Sequence, residues 1–401
     1  MQIYAAALQA VHGRSRVRQY LQSHPPRGPV YLLAVGKAAT AMTQGAIDVL
    51  GSRIRAAWIV TKHGYAEPLP WPVRTAGHPL PDADSLAAGQ ALREFIQGLP
   101  ADAQVLYLLS GGASALVESL PAGVELAQLQ ALNRWLLASG LDIAACNHLR
   151  QRLSLLKGGR LAALLAPRPV LCLCLSDVPG DDPAVIGSGP LVPAPDAREQ
   201  LPDGLPLDVA AAMARTPPAP MPGDACFDSV ELRVIANLQR AKEAAAAAAA
   251  ALGYDTSVHD EFLRGDAVVA GAGLAEDLLR ADTDIVHIWG GETTVVLPPS
   301  AGRGGRCQSL ALAAAARLRG QASCYLLAAG TDGSDGPGSD AGALVDGDTL
   351  ARGEAAGFDA QEALTAADAG SFLAASGDLL QTGPTGTNVM DLVLGLKGER
   401  G

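Results

Sequence analysis

Residues that could do chemistry gather in two glycine-rich turns, G-R-G-G-R-C-Q from Gly302 and T-D-G-S-D-G-P-G-S-D from Thr331. Gly302, Gly304 and Gly305 allow a sharp bend that presents backbone N–H groups beside Arg303 and Arg306. The apolar run after it, Ser309 to Leu318, reads as a helix whose positive end points back into that turn. Tyr325 to Ala329 reads as a buried strand that empties into the second turn, with Asp332, Asp335 and Asp340. The first turn suits phosphate oxygens; the second suits a divalent metal or a hydroxyl awaiting deprotonation. Glycine and aspartate favour turns in any case, so each turn alone is also compatible with an ordinary surface bend.

The same scheme recurs along the chain. V-Y-L-L-A-V-G-K-A-A predicts a strand, a Gly36–Lys37 turn and a helix. It is not a Walker A loop, because Tyr31 stands where the first glycine is needed and Ala38 replaces Ser or Thr. A strand over 104–109 leads into S-G-G-A-S-A-L, where Ser110, Gly111, Gly112 and Ser114 form a hydroxyl-bearing turn suited to an anion. A nucleophilic serine is disfavoured, since no G-x-S-x-G is present there. A fourth strand, 170–175, opens into a long loop with Asp177, Asp181, Asp182 and Ser188. Lys157 and Arg160 flank Gly158–Gly159 at an expected helix junction. His78 lies in a proline-stiffened loop before a helix capped near Asp82 or Asp84.

Apolar strands alternating with Gly-turns and Ala/Leu helices predict α/β architecture. At 401 residues two domains are expected, divided in the Pro-rich stretch 191–228 into 1–225 and 226–401. Leu232 to Ala236 is read as the first strand of the second domain, ending at Asn237. Eight alanines from Ala244 predict a strong helix, and Ile285 to Leu297 resembles a hairpin with Glu292 near a strand end. The G-A-G-L-A-E run at Gly271 fails as a dinucleotide fingerprint, since Glu276 replaces the third glycine.

A net charge of −11 disfavours nucleic acid, and no apolar run reaches membrane-span length. Six cysteines without a C-x-x-C pair predict a reduced, cytoplasmic protein, with Cys172 and Cys174 on one face of a buried strand. Arginine outnumbers lysine 25 to 5, and Lys37, Lys62 and Lys157 all sit at glycine-flanked turns. That placement points to a need for a compact ammonium there.

Eight motifs in order carry a resemblance: V-G-K-A-A, G-H-P-L-P-D-A-D-S, L-S-G-G-A-S-A-L, L-K-G-G-R-L-A, L-S-D-V-P-G-D-D-P-A-V-I-G-S-G-P, G-R-G-G-R-C-Q, A-A-G-T-D-G-S-D-G-P and T-G-T-N-V-M-D. Over residues 30–396 the chain resembles the glycerate 2-kinase family, whose members carry a MOFRL domain and often bear the name hydroxypyruvate reductase. The resemblance implies a larger Rossmann-like N-terminal α/β domain, a smaller C-terminal one, mainly parallel sheets and an interdomain active site. It implies ATP-dependent phosphorylation of D-glycerate at the 2-hydroxyl with Mg²⁺. Lys37 and Arg306 match the family's active-site Lys and Arg, with charge stabilisation as their expected role.

Asp177 is expected to act in catalysis and Asp181, Asp332 and Asp335 on the metal, although which carboxylate does which stays open. Ser110, Gly111, Gly112, Ser114, Lys157, Arg160, Ser188, Asn237, Glu292, Arg303, Thr331, Thr385 and Asn388 are the expected ligand contacts. The acidic loop departs from the family pattern at Asp340, for which the resemblance therefore implies no role; Cys307 and Gln151–Arg152 also depart. The expected partners are D-glycerate and a nucleotide, with no nucleic acid, no membrane, and a homodimer as the open oligomeric option. The runner-up is a nicotinamide-dependent hydroxypyruvate reductase, opposed by the missing G-x-G-x-x-G after any strand. A non-catalytic sugar-phosphate sensor would need the glycine turns but fewer strand-end acids.

Overall fold

The computed structural model describes residues 1–139, 141, 143–194, 202 and 204–398. The chain forms two units, one of residues 13–235 and one that joins residues 1–12 to 236–401. Part of the Pro-rich stretch read as the boundary, 195–201 and 203, lies outside the described residues.

The first unit is built on strands β1 (Val30–Val35), β2 (Ile54–Lys62), β3 (Val73–Ala76), β4 (Gln104–Leu109), β5 (Val170–Leu175) and β6 (Val230–Ala236). Their order is β3-β2-β1-β4-β5-β6, and the β1–β2, β1–β4, β2–β3 and β4–β5 pairs are parallel. The central strands V-Y-L-L-A-V, Q-V-L-Y-L-L and V-L-C-L-C-L are buried almost throughout. Helices on both faces demand such continuous apolar runs. Cys172 and Cys174 are fully buried on one of those faces, and burial pushes both thiols up. A helical annex, Leu126–Ala138, Ile143–Arg152 and Leu207–Met213, has its own core around Leu132, Leu153 and Val209.

The last strand of this sheet, β6, is the segment read from sequence as the start of the second domain. Its position follows from pairing: the Val170 N–H donates to the Ser229 carbonyl at 2.9 Å as β6 closes the sheet beside β5.

The second unit contains β7 (Asp255–Leu263), β8 (Ile285–Gly291), β9 (Cys324–Gly330), β10 (Gly342–Asp346), β11 (Leu379–Leu380) and β12 (Asp391–Lys397), ordered β11-β10-β9-β12-β8-β7. β7 and β8 are parallel, while β12 lies antiparallel between β8 and β9, and β10 is antiparallel to β9 and β11. Four strands thus point one way and β10 and β12 the other. The expected hairpin is absent: β8 ends at Gly291, and Val296 and Leu297 are exposed. Thr294 instead bridges to Asp266, the cap of the helix Ala267–Arg280.

The N-terminal helix Gln2–Val11 belongs to this second unit. It buries Tyr4, Ala7 and Val11 and packs on the alanine-rich helix Leu238–Ala251. The Tyr4 hydroxyl donates to the Gly330 carbonyl at 2.9 Å, and the Thr387 hydroxyl to the Val11 carbonyl at 2.7 Å. Among the described residues no helix is long and apolar enough to cross a membrane.

Candidate functional site

In the first unit the site is set by sheet topology. β1 and β4 are neighbours at the point where strand order reverses, the place where open α/β sheets hold ligands. Val35 pairs with Leu109, so the turns that follow, Gly36–Lys37 and Ser110–Ser114, emerge side by side. The Lys37 N–H donates to the Gly111 carbonyl at 2.9 Å, and the Ala38 N–H to Ser110 Oγ at 3.0 Å. Gly36 has φ 124°, and a Cβ there would lie 2.2 Å from Ser110 Oγ. No other residue allows the two turns to touch this closely. A Cβ at Gly112 would meet the His78 ring at 3.1 Å and Lys37 Cγ at 3.3 Å, so Lys37, His78 and Gly112 converge.

The third strand end adds hydroxyls and acids. Ser114 Oγ lies 2.8 Å from Ser188 Oγ, which donates to Asn147 Oδ1 at 3.2 Å. Ser188 is fully buried, with φ 61°, between two glycines that are also left-handed. Asp177 lies two residues past the end of β5, and Asp181 sits four residues on with φ 57°. Both carboxylates lie near enough to Cys174 to reinforce the upward push of its burial. The structure therefore brings Lys37, Ser110, Gly111, Gly112, Ser114, Ser188, Asp177 and Asp181 to the carboxyl ends of β1, β4 and β5.

Lys157 and Arg160 are otherwise engaged. Lys157 is 4% exposed and ion-paired to Glu118, itself 1% exposed. Glu118 also accepts from the Ser154 hydroxyl at 2.6 Å and the Ser119 N–H at 2.8 Å. A compact ammonium at this turn is thus explained by a buried carboxylate. Arg160 donates to the carbonyls of Gln151, Lys157 and Pro217 at 3.0, 3.2 and 2.7 Å. Lys62 stands over the Tyr65 ring, 4.9 Å from its centre.

In the second unit the reversed strand β12 brings its first residue, Asp391, opposite Gly291 and Gly330, where β8 and β9 end. Arg306 opens the helix Arg306–Leu318 and forks onto Asp391, Nε to Oδ2 at 2.5 Å and Nη2 to Oδ1 at 3.0 Å. Its Nη2 also lies 2.9 Å from Glu292 Oε1. Burial alone would lower the Arg306 pKa, but the Asp391 and Glu292 charges outweigh it and raise it.

The acids of the second turn have distinct tasks. Asp335 caps the Arg306 helix: Oδ1 accepts from the Cys307 N–H at 3.1 Å and Oδ2 from the Gln308 N–H at 2.8 Å. Gln308 Nε2 adds a bond to Oδ2 at 3.1 Å. A Cβ at Gly305 would lie 2.3 Å from Asp335 Oδ1, hence the glycine. Burial first, and Asp391 second, push the Asp335 carboxyl up to about 6 despite the N–H donors. Asp332, 4% exposed, accepts from the Ser334 N–H at 2.8 Å. Arg303 donates to Asp340 at 2.7 Å, and its N–H to Asp368 at 2.7 Å.

Thr331 ties the turn to the strand, donating to the Met390 carbonyl at 2.6 Å and accepting from the Val389 N–H at 2.8 Å. The Thr385 hydroxyl donates to the Thr331 carbonyl, and Asn388 is buried one residue before Val389. Asn237 caps the alanine-rich helix, accepting from the Arg240 N–H at 3.1 Å.

Among the described residues a group of three possible metal ligands occurs at His63, Asp82 and Asp84. Asp82 there caps the helix Ala83–Gln97 through Ser85, with its pKa lowered to about 2. Burial there acts to raise it, and bonds from His63 and Ser85 prevail.

Sequence reasoning missed Asp391 and Glu118. Each had a signal, a lone acid inside an apolar run: M-D-L-V-L and A-L-V-E-S-L. Asp340, set aside for its shifted position, is the acid that pairs with Arg303.

Two α/β units whose strands end in glycine, serine and arginine turns define an α/β protein of the kind that holds ligands at its strand ends. Comparison with known proteins narrows this. A domain of unknown function (DUF4147) matches residues 1–205, and the MOFRL family matches residues 285–391. The D-glycerate 2-kinase of Thermotoga maritima is 39% identical, covering 92% of this chain and 90% of that protein. The glycerate 2-kinase of Pyrococcus horikoshii is 32% identical, covering 92% and 88%. A relative from Agrobacterium vitis that bears a hydroxypyruvate reductase name is 37% identical, covering 92% and 87%. The crystal structure of glycerate kinase from Thermotoga maritima superposes with a TM-score of 0.81 at 36% identity, covering 98% of this chain and 97% of that one. The chain belongs to the glycerate 2-kinase family.

Proposed function

We propose that this chain is an ATP-dependent glycerate kinase that phosphorylates D-glycerate at its 2-hydroxyl. The observation that carries the reading is Lys37 at the switch-point turn, seated against the glycine–serine turn of β4. The relatives named for this activity match across almost the whole chain. Transfer to a hydroxyl requires oxygens held by amides and cations, charge stabilisation on the moving phosphoryl group, and a base near the acceptor.

In this reading Gly111 to Ser114 hold anionic oxygens through backbone N–H groups and the Ser114 hydroxyl. Lys37 opposes negative charge as it develops on the phosphoryl oxygens. The 2-hydroxyl oxygen bonds to the γ-phosphorus as the bond to ADP breaks, and Asp177 takes the hydroxyl proton. Arg306 is held by two carboxylates, so its own charge is exceeded locally; it serves to orient Asp391 and Glu292 as much as to meet an anion. Mg²⁺ brought in on nucleotide phosphates would neutralise their charge and needs only one or two protein carboxylates. Within the second unit Asp332 would serve, while Asp335 is engaged as a helix cap; within the first unit Asp181 would serve. Thr331, Thr385 and Asn388 support the strand-end turn beside Asp332, and Arg303 with Asp340 braces it.

The reductase name borne by some relatives gains no support from the turn after β1, which reads V-G-K-A-A and lacks the dinucleotide glycines. Six free cysteines fit a reducing compartment, and the reading includes a cytoplasmic location. The test supplies ATP, Mg²⁺ and D-glycerate, follows ADP release, and identifies the phosphoglycerate isomer. A parallel reaction offers NADH and hydroxypyruvate. ADP release with 2-phosphoglycerate is expected; NADH oxidation without ADP release would reverse the reading.

A further inference from the structure

The last carbonyl of β9 is answered from the other end of the chain. The Gly330 N–H donates to the Ala341 carbonyl at 2.8 Å, but the Ala341 N–H turns away to the Leu380 carbonyl, also at 2.8 Å. The ladder therefore leaves the Gly330 carbonyl without the return bond that an antiparallel pair exchanges. Two donors take its place: the Gly333 N–H at 3.2 Å, inside the turn, and the Tyr4 hydroxyl at 2.9 Å, from the helix Gln2–Val11. Tyr4 is 1% exposed. Burial first, then the neighbouring Cys307, Asp332 and Asp391, holds its hydroxyl well above the ordinary phenol range, so it stays a donor.

The residues that follow carry the acids. The Thr331 N–H and hydroxyl both donate to the Met390 carbonyl, at 3.0 and 2.6 Å, and the Thr331 carbonyl accepts from the Thr385 hydroxyl. A Cβ at Gly330 would lie 3.3 Å from Asp332 Oδ1 and 3.5 Å from Asp391 Oδ1, so both carboxylates close on the strand end that Tyr4 holds. The opposite end of the same helix is tied to the segment leading into Asp391, where the Thr387 hydroxyl donates to the Val11 carbonyl at 2.7 Å. A phenylalanine ring would fill the space of Tyr4 equally well; what the hydroxyl adds is the bond to Gly330. We propose that Tyr4 is a positioning residue for the phosphoryl transfer: its hydroxyl sets the peptide from which Asp332 projects and keeps that carboxylate aligned with Asp391. The inference rests on the kinase reading, with Asp332 turned to the cation that the nucleotide brings. Misplacing such a group by an ångström costs up to about 10²-fold in rate.

The test replaces Tyr4 with Phe, which keeps the ring and removes the bond. Turnover, read as ADP release, should fall about tenfold with KM for D-glycerate unchanged, and calorimetric affinity for Mn²⁺–ADP should also fall about tenfold. Val11→Ala loosens the same helix at its other end and should leave both values as they are. In an Asp332→Asn background, Tyr4→Phe should cost nothing further in turnover. Unchanged turnover or Mn²⁺–ADP affinity in Tyr4→Phe, an equal loss in Val11→Ala, or a further loss of that size on top of Asp332→Asn overturns the inference. Should Tyr4→Phe fail to fold, amide exchange on the unaltered chain decides. The Gly333 N–H, bonded to the carbonyl that Tyr4 holds, should exchange no faster than the buried amides of the helix Gln2–Val11; faster exchange overturns the inference. No ADP release from the unaltered chain would overturn the kinase reading and this inference with it. ADP release together with any of the adverse outcomes above overturns this inference alone.

Discussion

The strand-end turns of the two units solve opposite electrostatic problems. In the first, β1 and β4 gather neutral donors and one lysine around Gly36 and Gly112, and Asp177 and Asp181 come after β5. In the second, the conspicuous cation is already matched: Arg306 faces Asp391 and Glu292, one positive charge against two negative. The first arrangement sets a lysine among backbone donors at the switch point, which suits an anion. The second is rigid and net negative, and suits orienting groups or drawing in a cation. A cationic glycine turn in a sequence is therefore not by itself an anion site; its acid partners, distant along the chain, decide.

The largest expected effect sharpens that contrast at the buried Lys157. Lys157→Met should destabilise by about 3–5 kcal/mol, because Glu118 is left charged and buried. The double variant with Glu118→Leu should recover most of the loss in a denaturant melt. Retention of substrate affinity by that double variant would confirm a purely structural lysine. Lys37→Ala should instead leave the melt unchanged and reduce kcat about 10²–10³-fold, measured by ADP release. Near-normal turnover would break the comparison outright.

A third prediction concerns pH. Asp335 has a folded pKa of about 6, above the ordinary carboxyl value, so the folded state holds its proton more tightly than the unfolded chain does. Its contribution is fully present below about pH 4 and is lost as pH rises through 6, a change of about 2–3 kcal/mol. Asp335→Asn should flatten the stability profile across that window, as read by melts at stepped pH. The smallest effect is expected for Arg306→Lys, which keeps the charge and loses the fork on Asp391. Turnover should fall about tenfold, the order of one charged hydrogen bond. A loss as large as that of Lys37→Ala would show that Arg306 meets the anion after all.

Much of the scaffold was legible because buried parallel strands must be apolar throughout, as V-Y-L-L-A-V and V-L-C-L-C-L are. The strand ends and their glycine turns followed from that. What could not be read was partnership. β6 looks like any strand, and only its pairing beside β5 assigns it to the first sheet. Asp391 reads as a blemish at the head of an apolar run until the reversal of β12 sets it against Arg306. Asp335 resembles a metal ligand by composition, yet its carboxylate closes a helix that begins 29 residues earlier. Side-chain roles of this kind depend on long-range registration, which local periodicity does not encode.

The helix Gln2–Val11 has a consequence for the order in which the molecule is made. It is made before the first unit, yet the surfaces that bury Tyr4 and Val11 lie beyond residue 236. Its apolar face must therefore wait while more than two hundred intervening residues emerge and form a sheet of their own. During that interval it is an unclaimed amphipathic segment, open to chaperones or to a neighbouring nascent chain of the same kind.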